Sequence, residues 1–481
     1  MRVSRILALV WSAIALLMVV YLAAAALSGF ERVRNPTEFL YGEAIVLEET
    51  RRIALGQPLY PPPTAVPLTV TAYTPVYYLL VGGLQQLSGD AGYSVGRVVS
   101  LAATLASGGV LAWTVRRVSG RWAGGALAAG LFLTQNLTVL LWAPVHRVDP
   151  LALCFTLTGL ALATSDRTTL AALPLALAVL TKQTYVAAPV CLLLTLWPRR
   201  RAAIGFGAVF LTGLLLCLGV GAWLTDGWLL WHTVVANANP LDFTYFAAML
   251  GAFAQFNAVP LVAAAALFGL PGRPRERVWR IYFLVSGLEA LATIGKLGAS
   301  SNYWLELTAA TGVLIGILAS RLAEPTDPRA AFTSTGLAGL ILASLLTSVP
   351  AYQATVSQAL EGRVDSATGG VPPQLAVASL VAAEPGRVLT DDPGLALLAG
   401  KRVEFEFVIF TILAAQGVWD EHPILEAIAA RQFGLVVLEE SLDEPPRPLI
   451  SARYTSRVRD ALQAAYTPAG QQAGYWFYRP A

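Results

Sequence analysis

Long uncharged apolar runs recur through the first part of this chain and leave few options for its fold. A bilayer core asks for about 20 apolar residues per crossing helix. Eleven segments present themselves: Ile6–Leu27, Ser94–Val115, Trp122–Leu141, Asp149–Thr164, Thr168–Thr181, Thr184–Trp197, Ala203–Trp223, Ala247–Leu270, Val278–Ile294, Tyr303–Ser320 and Ala331–Val349. The fourth, fifth and sixth are short, and two of them can merge into a broken pair. Composition agrees, with 56% apolar and 13% charged residues, the latter about half the usual share. A chain this apolar is neither disordered nor collagen-like. With a net charge of +3 it has nothing from which to build the basic stripe of a nucleic-acid-binding domain, so no nucleic acid is expected among its partners. Cys154, Cys191 and Cys217 all lie inside apolar runs and read as small hydrophobes. His146, His232 and His422 show no spacing that suits a His/Cys metal enzyme.

Positive charge orients the spans. With Arg2 and Arg5 in the cytoplasm, alternate loops carry Arg116–Arg117–Arg121, Arg167, Arg199–Arg200–Arg201, Arg273–Arg275–Arg277–Arg280 and Arg321–Arg329. The first run lacks a small-residue cleavage site and reads as a retained helix. The predicted architecture is mainly α. Residues 1–350 form a polytopic bundle of about eleven spans in the cytoplasmic membrane, interrupted by a long outer loop at residues 31–93. The loop is rich in proline and aromatics and suits short interfacial helices, one of them Val76–Leu87. Residues 351–481 form a small extracytoplasmic α/β domain. Its predicted strands are Arg387–Thr390, Val403–Phe407, Phe433–Leu438 and Tyr475–Tyr478, and its predicted helices Pro423–Gln432 and Arg453–Ala465. No GxGxxG follows its first strand, so no nucleotide site is expected.

Ionisable groups near a membrane are costly, and those at the outer face each need a reason. The long loop opens with Glu43, flanked by Gly42 and by apolar Ala44–Leu47, which points to a functional carboxylate. Glu48 and Glu49 stand three residues before Arg51 and Arg52, the spacing of helical surface pairs. His146, Arg147 and Asp149 share an outer turn. Asp149 before Pro150 also suits a helix N-cap, but a cap alone does not explain the two cations beside it. The chain has only three lysines, Lys182, Lys296 and Lys401, and the first two fall at outer helix ends. Lysines snorkel at such places. With Arg147, they can also clamp a lipid-linked phosphate. Lys296 leads into Ser300, Ser301, Asn302, Tyr303 and Glu306, a polar cluster at the mouth of a span.

The order of these parts resembles the GT-C glycosyltransferases, in the bacterial branch of lipid A arabinose transferases and protein O-mannosyltransferases. The strings that carry the resemblance are YGEAIVLEETRRIALGQPLY from Tyr41, YTPVYYLL from Tyr73, GRVVS from Gly96, HRVDPLAL from His146, LTKQT from Leu180 and KLGASSNYWLE from Lys296. Such enzymes move a sugar, with inversion, from a polyprenyl-phosphate donor to a lipid, glycan or protein acceptor outside the cytoplasmic membrane. The resemblance assigns the catalytic carboxylate of the first outer loop to Glu43, with Glu48 as the alternative, and the second acidic position to Asp149. It implies substrate contacts from Tyr73, Arg97, His146, Arg147, Lys182, Gln183, Lys296, Asn302, Tyr303 and Glu306. A divalent metal ion bridging Glu43 and Asp149 to phosphate is left open.

Two other functions compete. A transporter or lipid flippase needs charged or broken helices near the bilayer midplane, whereas the polar groups here gather at one face. A non-catalytic assembly protein has no need of Glu43, Asp149 and Lys182 together.

Overall fold

The computed structural model describes every residue except 1, 136, 324–327, 358–372, 446–448 and 450. The chain divides into two compact units. The first comprises Met1–Val33, Arg97–Leu218 and Leu241–Leu360, and the second Arg34–Gly96, Gly219–Pro240 and Glu361–Ala481.

All eleven apolar segments contain helix, but they differ in length. Six helices are long and apolar enough to cross a membrane: Arg5–Arg34, Ser94–Ser119, Arg200–Leu224, Phe243–Gly269, Ser301–Leu322 and Thr333–Ser357. The others are Trp122–Thr134, Asp149–Thr164, Ala172–Thr181, Ala187–Leu196 and Arg277–Thr293. A ten-residue helix rises only about 15 Å, half of a ~30 Å bilayer core. Of the eleven expected spans, six are thus helices of sufficient length by themselves and the other five are shorter apolar helices. Within the expected Trp122–Leu141 run, helix stops at Thr134 and resumes over Leu137–Trp142.

The first unit is organised around Ser301–Leu322, 83% of whose apolar window is buried, against 11% for the N-terminal helix. Small residues make this possible, because between apolar helices close backbone approach replaces the hydrophobic drive of water. A Cβ at Gly316 would lie 2.5 Å from the carbonyl oxygen of Gly124 and 2.9 Å from the Ala128 Cβ. One at Gly124 would lie 2.6 Å from the Gly316 carbonyl oxygen. The N-terminal helix is held at Tyr21, whose ring stacks on Tyr352 at 4.0 Å and whose hydroxyl donates to the Leu345 carbonyl at 2.7 Å.

The second unit is built on a four-stranded mixed sheet of β1 (Arg387–Thr390), β2 (Phe433–Leu438), β3 (Tyr466–Gln472) and β4 (Tyr475–Pro480), ordered β1-β2-β4-β3. β1 runs parallel to β2, and β4 is antiparallel to both β2 and β3. Helices Ser456–Ala465 and His422–Ala429 stand close to the predicted ones. The predicted strand Val403–Phe407 is not in the sheet. It makes a single parallel bridge, Leu68 with Phe405, and turns into the helix Phe407–Ala415. The long loop thus shares the core of the tail. Leu68 and Val70 pack with Phe405, Phe410, Val436 and Leu462. The helices Glu43–Ala54 and Val76–Ser88 cross at Gly82, where a Cβ would meet Ile53 Cβ at 2.6 Å.

Gly316→Val is expected to destabilise the bundle by about 2 kcal/mol or more through overpacking. Gly205→Ala, where a Cβ meets nothing within 4 Å, should be neutral or slightly stabilising. Thermal midpoints in detergent compare the two; equal midpoints would contradict the close contact.

Candidate active site

In the first unit, the helices Asp149–Thr164 and Ala172–Thr181 form a hairpin. Its geometry brings the start of one helix beside the end of the other. Asp149 therefore meets Lys182, which leaves its helix in an extended conformation. The Lys182 Nζ lies 2.5 Å from Asp149 Oδ1, and both side chains are buried. Asn302, from the turn Ser301–Trp304, donates its Nδ2 to the same oxygen at 2.8 Å. The Tyr185 hydroxyl donates to the Asp149 carbonyl at 3.2 Å. Asp149 does not cap its helix, since no side-chain cap bond forms there. Its Oδ2 is buried and takes no hydrogen bond among the described residues.

Further cations surround this centre. The ring of Tyr303 lies 4.7 Å from the Lys182 ammonium. The Arg147 guanidinium lies over Trp142 at 5.6 Å, and the Trp142 indole donates to Ser301 Oγ at 2.9 Å. Ser100 donates to the Arg147 carbonyl at 3.1 Å, tying the turn to the helix Ser94–Ser119. Arg97, on that helix, is fully buried and donates to the Arg32 carbonyl at 2.7 Å. Lys296 sits in the loop after Arg277–Thr293. Burial and the charge of Lys182 push its ammonium below the usual lysine range. Arg147, Asp149, Lys182, Lys296, Asn302 and Tyr303, six of the expected site residues, thus come together. His146 is buried in the same turn, and Gln183 follows Lys182 half-buried. Glu306 has other close partners: it accepts from the Tyr282 hydroxyl at 2.9 Å and is hydrogen bonded to Glu289.

In the second unit Glu43 is fully buried at the first position of its helix. Gly42 precedes it with φ 87°, a conformation that side chains with a Cβ rarely adopt. Glu43 Oε2 accepts from the Phe39 amide at 3.1 Å. Sequence reasoning missed its neighbour Glu38, whose Oε1 accepts from the amides of Glu43 and Ala44 at 2.9 and 3.2 Å. The available signal was an acid shortly before a helix start, where free amides seek an anion. Burial and the nearby Asp392 push the Glu38 carboxyl up to about 8. Glu38 lines a cavity of about 190 Å³ with Tyr41, Asp392, Glu439, Arg453 and Tyr475. Glu48 pairs with Arg52 at 3.5 Å, one residue further along than the predicted partner, and the Tyr73 carbonyl accepts from Tyr60. Arg52 also donates to Thr69 Oγ1 at 2.6 Å.

A second missed residue, His232, locks the loop. Its Nδ1 accepts from the Thr71 amide at 3.0 Å, which leaves Nε2 to donate to the Pro61 carbonyl at 2.7 Å. Burial lowers its pKa to about 4.

Among the described residues no group of three or more His, Cys, Asp or Glu side chains could hold a metal ion. Asp149 stands among the cations Lys182, Arg147 and Lys296, whose charge repels a divalent ion. The residues around Asp149 do not fit a divalent ion, and no chemical step is derived through one.

Two outcomes check this geometry. Asp149→Asn or Lys182→Met strands a buried charge and should cost about 3–5 kcal/mol, with the double variant less destabilised than the sum. His232 stays neutral in the fold down to about pH 4, whereas the unfolded chain takes up its proton near 6.5. The native state therefore loses stability as pH falls through that interval. The stability advantage of the parent over His232→Gln should shrink over the same range in thermal melts.

No family model matches the chain, and no curated protein matches it by sequence. Among solved structures, the crystal structure of ArnT from Cupriavidus metallidurans bound to undecaprenyl phosphate is similar with a TM-score of 0.60 at 16% identity, over 96% of this chain and 97% of that one. The apo state of the same protein gives 0.59 at 15% identity, again over 96% and 97%. The arabinofuranosyltransferase AftD from Mycobacteria, seen by cryo-EM, gives 0.46 at 16% identity over 95% of this chain and 41% of its own. At this level of identity the likeness to ArnT speaks for architecture: the chain has a GT-C fold, a polytopic helix bundle with a small C-terminal sheet.

Proposed function

We propose that this protein is a membrane glycosyltransferase that moves a sugar from a polyprenyl-phosphate donor to an acceptor outside the cytoplasmic membrane. The observation that carries the reading is the buried Asp149–Lys182–Asn302 centre with Arg147 and Lys296 around it. It stands in a fold shared with ArnT, a protein solved with undecaprenyl phosphate.

The chemistry fits these groups. An acceptor hydroxyl oxygen attacks the anomeric carbon from the face opposite the phosphate. The bond from that carbon to the phosphate oxygen breaks, and polyprenyl phosphate leaves with the electron pair. The hydroxyl proton passes to a carboxylate, which we assign to Glu43. Negative charge grows on the departing phosphate, and Lys182, Arg147 and Lys296 are the cations assigned to it. Asp149 holds Lys182 in place, and its unoccupied Oδ2 remains an acceptor for a substrate hydroxyl. Asn302 steadies the Asp149 carboxylate, and Tyr303 lies against the ammonium. The arginine pattern supports a cytoplasmic N-terminus and an extracytoplasmic tail. A flippase is less well supported, since the buried carboxylates of the bundle among the described residues, Asp149, Glu276 and Glu306, lie at or in the first turns of helices rather than mid-span.

The test is sugar transfer from synthetic polyprenyl-phosphate sugars by purified protein. Glu43→Gln should lose about 10²–10⁴-fold in rate and Lys182→Met about 10²-fold or more. Glu38→Gln, assayed alongside, shows which loop carboxylate takes the proton. Full activity in both Glu43→Gln and Asp149→Asn would sink the proposal.

A further inference from the structure

We propose that a basic cavity of the bundle binds the phosphate headgroup of an anionic membrane lipid. The cavity has a volume of about 590 Å³ and is lined by Arg199, Arg273, Arg275, Arg277 and Arg280, with Asp166 the one acidic side chain on its wall. It takes in the end of the helix Asp149–Thr164, the end of Ala187–Leu196 and the start of Arg277–Thr293. Thr164 on its wall stands fifteen helical residues from Asp149, about 22 Å, so it is not the centre described above.

Three features distinguish it from ordinary cytoplasmic-loop charge. First, the acid nearest in sequence pairs with Arg280 and leaves Arg199, Arg275 and Arg277 without an ion pair among the described residues. Glu276 is buried and spends itself on Arg280 at 2.9 Å and Arg321 at 3.2 Å. This holds Arg280 rigid, with its Nε buried and without a hydrogen-bond partner among the described residues. Second, Arg199, Arg275 and Arg277 are exposed and make no ion pair among the described residues. They converge at the amino end of Arg277–Thr293, where the helix dipole adds positive potential. Third, the wall is half apolar. Leu192, Leu196, Val278 and Ile281 line it, and the same two helices expose Leu193, Leu194, Leu284 and Leu288. An ionic headgroup above acyl chains matches this pairing of an arginine cluster with apolar helix faces, and basic pockets between membrane helices recognise such headgroups. A free phosphate shares the anionic chemistry but gains nothing from the apolar wall.

Full-length protein in phosphatidylcholine nanodiscs is titrated with phosphatidylglycerol, and the thermal midpoint is followed. Phosphatidylglycerol should raise it, and added phosphatidylcholine or inorganic phosphate should not. The triple variant Arg199→Gln, Arg275→Gln, Arg277→Gln should need about tenfold more phosphatidylglycerol for the same shift. The pair Arg116→Gln, Arg117→Gln, at another turn, should behave as the parent. Thr195→Trp fills the cavity without removing charge and should weaken the response equally, which keeps the test open if the triple variant folds poorly. An unchanged response in both the triple variant and Thr195→Trp, an equal loss in the Arg116/Arg117 variant, or an equal shift from inorganic phosphate alone would overturn the proposal.

Discussion

Burying a lysine ammonium without water is tolerable only if an anion is held against it. That requirement shapes one end of the bundle. Lys182 and Asp149 come from opposite ends of a helical hairpin, so the pair fixes the register of the two helices. Asn302 reaches the same oxygen from a third segment, and Tyr303 lays its ring against the ammonium. Three stretches distant in sequence are thereby aligned on one atom, Asp149 Oδ1. The pair is neutral, so the field around it is set by Arg147 and Lys296. The same desolvation that makes the pair costly to break makes each added positive charge effective on a phosphate.

Apolar matching holds the rest of the bundle together, and it works at shorter range. The contact of Gly124 with Gly316 lets backbone carbonyls pack where side chains would stand. It is what buries Ser301–Leu322, and that helix begins immediately after the turn carrying Asn302 and Tyr303. The position of two site residues therefore depends on glycines elsewhere in the same helix and in its neighbour.

Sequence patterns revealed what depends on local period and little of what depends on tertiary pairing. β1 and β2 were readable because Arg387–Thr390 and Phe433–Leu438 are short apolar runs between breakers. Val403–Phe407 alternates like a strand with one wet face, yet both of its glutamates are buried. Glu404 pairs with Arg387 at 2.8 Å, and Glu406, pushed up to about 8 by burial, accepts from the Val70 amide. Those partners lie far away in sequence, so the period alone misleads. β3 was hidden for the opposite reason: its residues Thr467–Gln472 are polar, small or proline and exposed, and the strand exists through its pairing with β4. At the candidate site the rare lysines and the His146–Asp149 turn stood out by residue type. Glu38 did not, because its role comes from accepting two amides at a helix start.

The fate of Lys182 follows from helix length. At the end of a long crossing helix a lysine extends its stem and keeps its charge in water. The helix before Lys182 has ten residues, Ala172–Thr181, and rises about 15 Å. Such a helix cannot carry both of its ends to the two surfaces of a ~30 Å core. An ammonium at the end of so short an element is left with protein for its surroundings, and Lys182 is in fact 1% exposed. Lys296, in a loop between Arg277–Thr293 and Ser301–Leu322, is only partly buried. The short helices, read in isolation as doubtful spans, are thus what turn a surface lysine into a buried one that requires Asp149.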